Sequence, residues 1–218
     1  MEIFRQSGGV DGISEINSER TLRYHHGELR ETLVRVAIEA IEQRGEASFT
    51  IREIAKVAGV SHAAAYRHFR SKHELLARIA EEGFYGLQAS FHQALGENAG
   101  RSCRARIKAL GEAYIRYALQ HPGYFRAMFH LELRSHSDLP SLSGAASRVF
   151  GTLVDAVTEG IARRELVRRS PRELAMVVWA TIHGLSFLLL DQQIDSPPAP
   201  DELIELAIER LDAGLAHP

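Results

Sequence analysis

The stretch TIREIAKVAGVSHAAAYRHFRSKHELL, residues 50–76, decides the fold class of this chain. It opens with the spacing of a capping box, in which a threonine hydroxyl and a glutamate carboxylate bind the free backbone N–H groups at a helix start. Gly59 then supplies the backbone freedom for a tight turn. Ser61 is a good N-cap for another short helix that ends near Phe69. The pattern predicts two short helices joined by a tight turn, which is the arrangement of a helix-turn-helix.

Helical periodicity continues on both sides of this stretch. Apolar residues recur every three or four positions from Leu29 to Ile41, and again in later segments as far as Leu215. Further capping-box patterns at Ser71–Glu74 and Ser170–Glu173 predict two more helix starts, the second with a proline in its first turn. Alternation of apolar and polar residues, the mark of a half-buried strand, is not sustained anywhere. The sequence therefore predicts an all-α chain.

The middle of the chain contains a predicted helix break. The apolar stripe from Ile107 to Ala118 ends at His121-Pro122-Gly123, because proline does not continue a helix. We expect a helix from Tyr124 to Leu133, then a loop through Pro140. The next apolar stripe runs from Val149 to Ile161 and predicts another helix.

Composition and charge limit the class of protein. The 218 residues are 45% hydrophobic and 25% charged, which is ordinary for a folded globular chain. A single cysteine excludes an internal disulfide, and Met1–Gly12 lack the pattern of a secretory signal, so we expect a cytoplasmic protein. The formal net charge is −2, yet residues 20–78 contain eleven basic and seven acidic side chains. This modest basic excess coincides with the predicted helix-turn-helix.

The segment Leu174–Leu190 is apolar almost all round, which the surface helix of a monomer cannot be. Its length is at the short end of the roughly 17–25 residues that cross a bilayer, and polar side chains interrupt it. We therefore expect no membrane span. The sequence instead predicts a homodimer whose interface is formed by residues 174–190 and 203–215.

The third predicted helix has one buried and one exposed face. Ala65 and Phe69 lie four residues apart and are expected to point inward. The opposite face carries four residues that suit DNA, namely His62, Ala63, Tyr66 and Arg67. Histidine and arginine hydrogen-bond base edges or phosphates, and the methyl group of Ala63 can contact a thymine methyl. From periodicity alone a compact helical pair without a role in DNA binding is an equal alternative, and the residue types favour DNA.

Three stretches resemble the DNA-binding domain of TetR-family transcriptional regulators: Ala58-Gly59-Val60-Ser61, Tyr66-Arg67-His68-Phe69 and Ser71-Lys72-His73-Glu74-Leu75-Leu76. The resemblance covers about residues 26–76. It implies that the DNA backbone is held by Thr50, Tyr66, His68 and Lys72. It implies that base edges are faced by Arg52, His62 and Ala63. With the cap Ser61 and the exposed Arg67, these residues form the predicted DNA-binding set.

A segment before the helices offers a further contact with DNA. Arg23, Tyr24, His25 and His26 can form a short arm along the DNA backbone. A solvated polar tail is the equal alternative for these four residues.

The second half of the chain resembles the family's regulatory domain in outline. Trp179 followed by His183-Gly184, together with His121-Pro122 and Met128-Phe129, is similar to the regulatory subclass named for a Trp-His-Gly (WHG) motif. We expect an apolar small-molecule cavity in this half. Its predicted lining residues are Tyr114, Tyr117, Phe125, Phe129, Phe150, Trp179 and His183. A filled core built from the same residues is the alternative.

Together these patterns predict a flexible tail over residues 1–22, a three-helix helix-turn-helix DNA-binding domain over 23–76, and a helical-bundle ligand-binding and dimerisation domain over 77–218. The function expected is a ligand-responsive transcriptional regulator, a repressor before an activator, that binds palindromic double-stranded operator DNA. The alternative is a helical ligand-binding or partner-binding protein without sequence-specific DNA binding. No HExxH, GxSxG or Walker-type motif occurs, so we expect no catalytic residues, metal or cofactor.

Overall fold

The computed structural model describes residues 26–133, 139–194 and 199–215. The described residues form α-helices and one 3-10 turn, without a strand, which confirms the all-α prediction. The elements are α1 His26–Arg44, α2 Ile51–Val57, α3 His62–His68, α4 Lys72–Glu97, α5 Cys103–Gln120, α6 Pro122–Met128, a 3-10 turn Leu131–Leu133, α7 Pro140–Ala162, α8 Pro171–Leu190 and α9 Pro200–Leu215. The predicted tail over 1–22 and the arm residues Arg23, Tyr24 and His25 lie outside the described residues.

The turn between α2 and α3 has the geometry that the sequence predicts. Gly59 adopts a positive φ of 70°, a backbone conformation that L-residues rarely adopt. Its N–H donates to the carbonyl of Lys56 at 3.2 Å, and the next N–H, of Val60, donates to the carbonyl of Ala55 at 3.0 Å. These two bonds form a Schellman motif, which satisfies the last carbonyls of α2 and turns the chain into α3.

The predicted capping boxes form to different extents. At the start of α2 both halves are present, with Thr50 Oγ1 accepting from the N–H of Glu53 and the Glu53 carboxylate accepting from the N–H of Thr50. At the start of α4 the hydroxyl of Ser71 accepts from Glu74, but the Glu74 carboxylate accepts from the N–H of Arg70 at 2.8 Å. The reciprocal bond predicted there is therefore displaced by one residue, because the carboxylate reaches back over one more peptide unit.

The prediction of a continuous helix from Tyr124 to Leu133 is wrong in part. The helix α6 ends at Met128, and a separate 3-10 turn begins at Leu131. Phe129 leaves the helical conformation, and its ring packs 4.4 Å from the imidazole of His183. Packing of this ring outweighs the local helical pattern, as tertiary contacts often do.

The long helix α4 lies at the centre of the fold and packs against α5, α6 and α7. Two of its glycines permit this close packing, since a Cβ atom at Gly83 would lie 2.8 Å from the side chain of Met128 and one at Gly86 would lie 2.6 Å from Tyr117 Oη. The phenol of Tyr117 donates to the carbonyl of Gly83 at 2.9 Å. Because α4 crosses residue 76, both predicted domains share this helix.

The helix α8 is the one described helix that is long and apolar enough to cross a membrane by length and composition. One side of it packs on α5, α7 and α9, where Val178 and Ile182 are buried. The other side is exposed in the protomer, with Val177 at 56% and Leu188 at 41% relative exposure. The helix α8 thus packs on its own domain along one side and exposes apolar side chains along the other.

Candidate nucleic-acid interface and effector cavity

The surface of α3 has the two faces that the sequence predicts. Ala65 and Phe69 are fully buried, and the guanidinium of Arg30 lies 5.0 Å from the centre of the Phe69 ring. The exposed side carries His62, Ala63, Tyr66 and Arg67. This face combines hydrogen-bonding groups with one small side chain, so it can approach the edges of bases in a major groove.

The neighbouring helix α2 adds positive charge beside this face. Arg52 and Lys56 are both exposed on α2, whose one acidic residue is Glu53. The backbone N–H of Thr50 donates to the Glu53 carboxylate at 2.7 Å, and this bond lowers the pKa of that carboxyl. A guanidinium nitrogen of Arg44 lies 3.7 Å from the same carboxylate. Cap and ion pair therefore engage the one carboxylate of α2 and leave the two cations facing solvent.

Two hydroxyls of the predicted DNA-binding set also serve as helix caps. Thr50 and Ser61 are exposed, and their oxygens accept from Glu53 and Ala64 at 3.2 and 3.1 Å. A hydroxyl that accepts in a cap keeps its own proton as a donor. Both residues can therefore hold a helix start and donate to a phosphate at once.

Two residues that are predicted to hold the DNA backbone, His68 and Lys72, are half-buried. The ammonium of Lys72 forms an ion pair with Glu132 of the 3-10 turn, at 2.7 Å, and lies 5.8 Å from the ring of Phe49. The two charged residues are sixty positions apart, so helical spacing carries no signal of this contact. It joins the predicted DNA-binding set to the segment that follows α6.

A cavity of about 340 Å³ lies in the helical bundle between α4, α5, α6, α7 and α8. Four predicted lining residues line it, namely Tyr114, Phe129, Phe150 and Trp179. Its volume is at the lower end of the roughly 300–1,000 Å³ of small-molecule sites. Empty space beside four of the seven residues favours the predicted cavity over the alternative of a filled core.

Three predicted lining residues are absent from the cavity wall: Tyr117, Phe125 and His183. The ring of Tyr117 packs against α4, where its hydroxyl binds Gly83. Phe125 is fully buried among the rings of Tyr114, Phe129 and Phe187. The sequence assigned these residues to the interior correctly, but it does not specify which interior side chains meet empty space.

His183 supports the cavity wall from behind. Its Nδ1 lies 2.7 Å from the hydroxyl of Tyr114, and the indole N–H of Trp179 donates to the same hydroxyl at 3.2 Å. Burial lowers the pKa of His183 and favours the neutral ring, whose Nδ1 then accepts from Tyr114. Both hydrogen bonds are thus made within the protein, and they orient the rings of Tyr114 and Trp179.

Sequence reasoning missed several lining residues. They include Phe84, Leu87, Phe91, Met128, Met176 and Arg172. Their apolar periodicity marks core positions in general, and only the arginine carries a signal of its own, as a charge beside the apolar start of α8. Among the described residues, no group of three or more His, Cys, Asp or Glu side chains is placed to hold a metal ion.

Two family models match the chain. The model described as "Bacterial regulatory proteins, tetR family" matches residues 33–79, which contain α2, α3 and the start of α4. The model described as "Tetracyclin repressor-like, C-terminal domain" matches residues 107–211, which contain most of the cavity wall. The chain belongs to the TetR family. The resemblance to the Trp-His-Gly subclass is a finer assignment and stays a prediction.

Solved structures agree with this membership. A protein of unknown function from Rhodococcus sp. RHA1 is 33% identical, with a TM-score of 0.76, over 89% of this TetR-family chain and 98% of that one. A bacterial regulatory protein in the tetR family from Rhodococcus RHA1 has a TM-score of 0.74 at 18% identity, over 88% and 98% of the two chains. The second likeness shows the shared fold.

Curated relatives bear names of transcriptional regulators. An HTH-type transcriptional regulator of Mycobacterium tuberculosis is 25% identical over 123 residues, 56% of this chain and 53% of that protein. The matched region of our TetR-family chain thus spans about half the length of that relative. The HTH-type transcriptional activator FasR of Mycolicibacterium smegmatis is 26% identical over 202 residues, 92% of this chain and 89% of that protein.

Proposed function

We propose that this TetR-family protein is a ligand-responsive transcriptional regulator that binds palindromic operator DNA as a homodimer. The observation that carries the proposal is the exposed face of α3, with His62, Ala63, Tyr66 and Arg67 beside the cations of α2. A helix of this kind can enter the major groove while its neighbours rest on the phosphates.

The DNA-binding residues divide into two groups in this proposal. Base edges are read by Arg52, His62 and Ala63, which are exposed at the start of α2 and α3. The phosphates are held by Thr50, Ser61, Tyr66, Arg67, His68 and Lys72. Phosphate contacts fix the position of the protein on the duplex, and base contacts select the sequence.

A second copy of the chain is the proposed cover of the exposed α8 face. Val177, Thr181, Gly184 and Leu188 follow helical spacing along this face, and all four are exposed in the protomer. On the neighbouring helix α9, Leu206 is 47% exposed. A second copy that packs its own α8 and α9 here removes the side chains of Val177, Leu188 and Leu206 from water and pairs two recognition helices.

An effector in the cavity is proposed to act through α4. The N-terminal turn of this helix holds Lys72, and its later turns place Phe84, Leu87 and Phe91 on the cavity wall. A ligand that favours a shifted position of α4 therefore moves the α3 helices away from adjacent grooves. A coupling of about 1–3 kcal/mol releases DNA about 5- to 150-fold.

The proposed role is repression in the cytoplasm, without catalytic residues, cofactor or metal. A dimer that covers a palindromic site excludes other proteins from the same DNA. Because one relative is named a transcriptional activator, a reporter gene placed behind the selected operator decides the sign: reporter output that rises when the protein is expressed contradicts repression.

Selection from random DNA followed by titration of two variants tests the DNA-binding assignment. In His62→Ala the loss of a base contact should cost about 1–3 kcal/mol on the selected site and relax specificity at one position. In Lys72→Ala the loss of a phosphate contact should weaken binding to every sequence and reduce the slope of log affinity against log salt, by less than the full value of about 0.9 because Glu132 shares the ammonium charge. Lys108→Ala, a lysine of similar burial on α5, is the matched control and should leave both quantities unchanged.

Two results contradict the assignment. One is failure to recover any preferred site from random DNA with a folded dimer. The other is equal loss on selected and random DNA for His62→Ala, which would place this side chain outside the groove.

A further inference from the structure

The interior of the cavity offers a ligand almost no hydrogen bonds. Its deep wall is built from aliphatic and aromatic side chains, among them Leu87, Phe91 and Ile182. The one hydroxyl in this wall belongs to Tyr114, which donates to His183 and accepts from Trp179. The Tyr114 oxygen keeps one further lone pair, so a polar ligand group placed here would lose its water for at most one new hydrogen bond, and the buried part of the ligand is expected to be apolar.

The exposed part of the cavity lining, here called the mouth, contains Arg172, Ser147 and Met176. Arg172 is the single charged side chain among the described residues that line the cavity. It is exposed, and its guanidinium lies 5.4 Å from the centre of the Phe150 ring, which also lines the cavity. This contact of cation and ring holds the charge at the mouth. Among the ion pairs of the described residues, none supplies a carboxylate to Arg172.

A second polar group of the mouth lies on α7, three residues before the Phe150 ring that Arg172 contacts. Ser147 of α7 is exposed and lines the cavity, so its hydroxyl can donate to a ligand atom at the mouth. Guanidinium and hydroxyl groups together are donors that a carboxylate or phosphate oxygen accepts. Among the described residues that line the cavity, Arg172 and Ser147 are thus the two exposed polar side chains.

We propose that the cavity binds an amphipathic anion, with an alkyl chain inside and a carboxylate or phosphate head group against Arg172 and Ser147. The proposal deepens the proposed function, because it takes this cavity as the effector site. It names the chemical class of the effector: a chain-bearing acid, as opposed to a neutral hydrocarbon, an alcohol or a cation.

The length of the ligand's alkyl chain is limited by the volume of the cavity. Each additional methylene that enters an apolar cavity strengthens binding by about fourfold. A cavity of about 340 Å³ fills at a finite chain length. Affinity should therefore rise steeply along a homologous series and then level off or fall once the chain exceeds the cavity, since overpacking is unfavourable.

The protein contains a natural fluorescent reporter of ligand binding. Its single tryptophan, Trp179, lines the cavity, so its fluorescence responds to a ligand that enters. We suggest titrating the full-length protein with straight-chain carboxylates from hexanoate to tetradecanoate. The alcohols and alkyl phosphates of the same chain lengths form two parallel series, and binding is confirmed by calorimetry below the micellar concentration of each probe.

The expected result is a dissociation constant that falls along each acid series to a minimum, with acids binding about five- to tenfold more tightly than the matched alcohols. The variant Arg172→Gln should abolish this preference and keep the dependence on chain length. Arg148→Gln is the matched control, because Arg148 lies at the same kind of distance, 5.5 Å, from a tyrosine ring but does not line the cavity. This control should bind as the parent protein does.

The proposal is overturned if acids and alcohols of equal length bind equally well, or if Arg172→Gln keeps the preference for acids. Absence of binding by all three series also overturns it. Operator titration without any probe is carried out on the same samples. Intact operator binding together with failed probe binding refutes the ligand class and leaves the proposed regulator in place, and failed operator binding refutes the regulator itself.

Discussion

The ion pair of Lys72 and Glu132 gives a single side chain two competing uses. Its atoms are 2.7 Å apart, and both side chains are partly exposed, at 26% and 43%. Partly exposed pairs of this kind stabilise a fold by about 1 kcal/mol or less. The stronger consequence concerns DNA, because the ammonium cannot bind Glu132 and a phosphate with its full charge at once.

Removing this competitor should strengthen DNA binding. In Glu132→Gln the lysine charge becomes available, and we expect affinity for selected and random DNA to rise together by about two- to fivefold, with a steeper salt dependence. Filter binding at several salt concentrations measures both quantities. Glu112→Gln removes a carboxylate that pairs with Arg116 on α5 and is the control. An equal gain in the control would mean that only the net charge of the protein matters.

The buried imidazole of His183 should make stability depend on pH. Burial lowers its pKa in the folded protein, so below about pH 6.5 the unfolded chain takes up a proton that the folded chain does not. Stability should be greatest above this pH and fall as the pH drops toward the lower folded-state pKa. Burial also lowers the pKa of His130, which acts in the same direction.

Melting temperatures between pH 7.5 and pH 5 measure this effect. The decline should be shallower in His183→Gln than in the parent protein. The control His92→Gln replaces an exposed histidine on α4 and should keep the parent slope. An unchanged slope in His183→Gln would show that the ring titrates as freely as in the unfolded chain.

At the residue scale, the sequence predicts which side chains are exposed better than which side chains meet. His62 and Arg67 follow from the helical period, because Ala65 and Phe69 fix the buried side of α3. The Lys72 pair and the position of Arg172 at the cavity mouth join segments far apart in the chain. No local pattern encodes such contacts, so they had to come from the structure.

At the scale of elements, the turn between α2 and α3 depends on one backbone conformation. A Cβ atom at Gly59 would meet no atom within 4 Å, but φ there is +70°. Gly59→Ala should therefore destabilise the fold by about 1–2 kcal/mol through backbone strain alone. Gly96→Ala also adds a methyl group in open space, but within the helix α4, and should be neutral or stabilise by up to about 1 kcal/mol.

Chemical denaturation of the two alanine variants checks this pair of opposite signs. A similar change in both variants would mean that the added methyl group, and not the positive φ, determines the effect.

The exposed face of α8 should control assembly. Val177→Glu places a carboxylate on a side chain that is 56% exposed in the protomer, so the fold of each protomer should survive while a dimer of about 2,000 Å² of buried interface should not. Sedimentation should give a monomer with parent-like helix content. Val57→Glu, at a residue 70% exposed on α2, is the control and should remain dimeric.

The element boundaries show where sequence patterns lose their force. The starts of α2, α3 and α4 are marked by Thr50, Ser61 and Ser71, whose hydroxyls all cap their helices. The end of α6 has no such mark, because it is determined by the packing of Phe129 against His183. The helical pattern therefore continues past the end of α6, because packing against a ring from a distant part of the chain leaves no local mark in the sequence.

At the scale of the whole molecule, the proposed dimer fixes the spacing of its DNA site. Each protomer offers one recognition helix, α3, so the half-site centres should lie about 34–36 Å apart or at a multiple of that distance. Inserting about five base pairs, half a helical turn, between the half-sites should reduce affinity to that of random DNA. Retained affinity in a gel-shift titration would mean that the protomers bind independently.

The length of α4 also allows it to amplify a small movement. Its 26 residues form a rod of about 39 Å, with Lys72 at one end and aromatic cavity residues farther along. For such a rigid lever, a tilt of about 5° around one end displaces the other by about 3.4 Å, which equals the rise of one base pair. A rearrangement of the aromatic cavity residues that leaves the fold unchanged can thus shift the recognition helix α3 along the DNA by about one base pair.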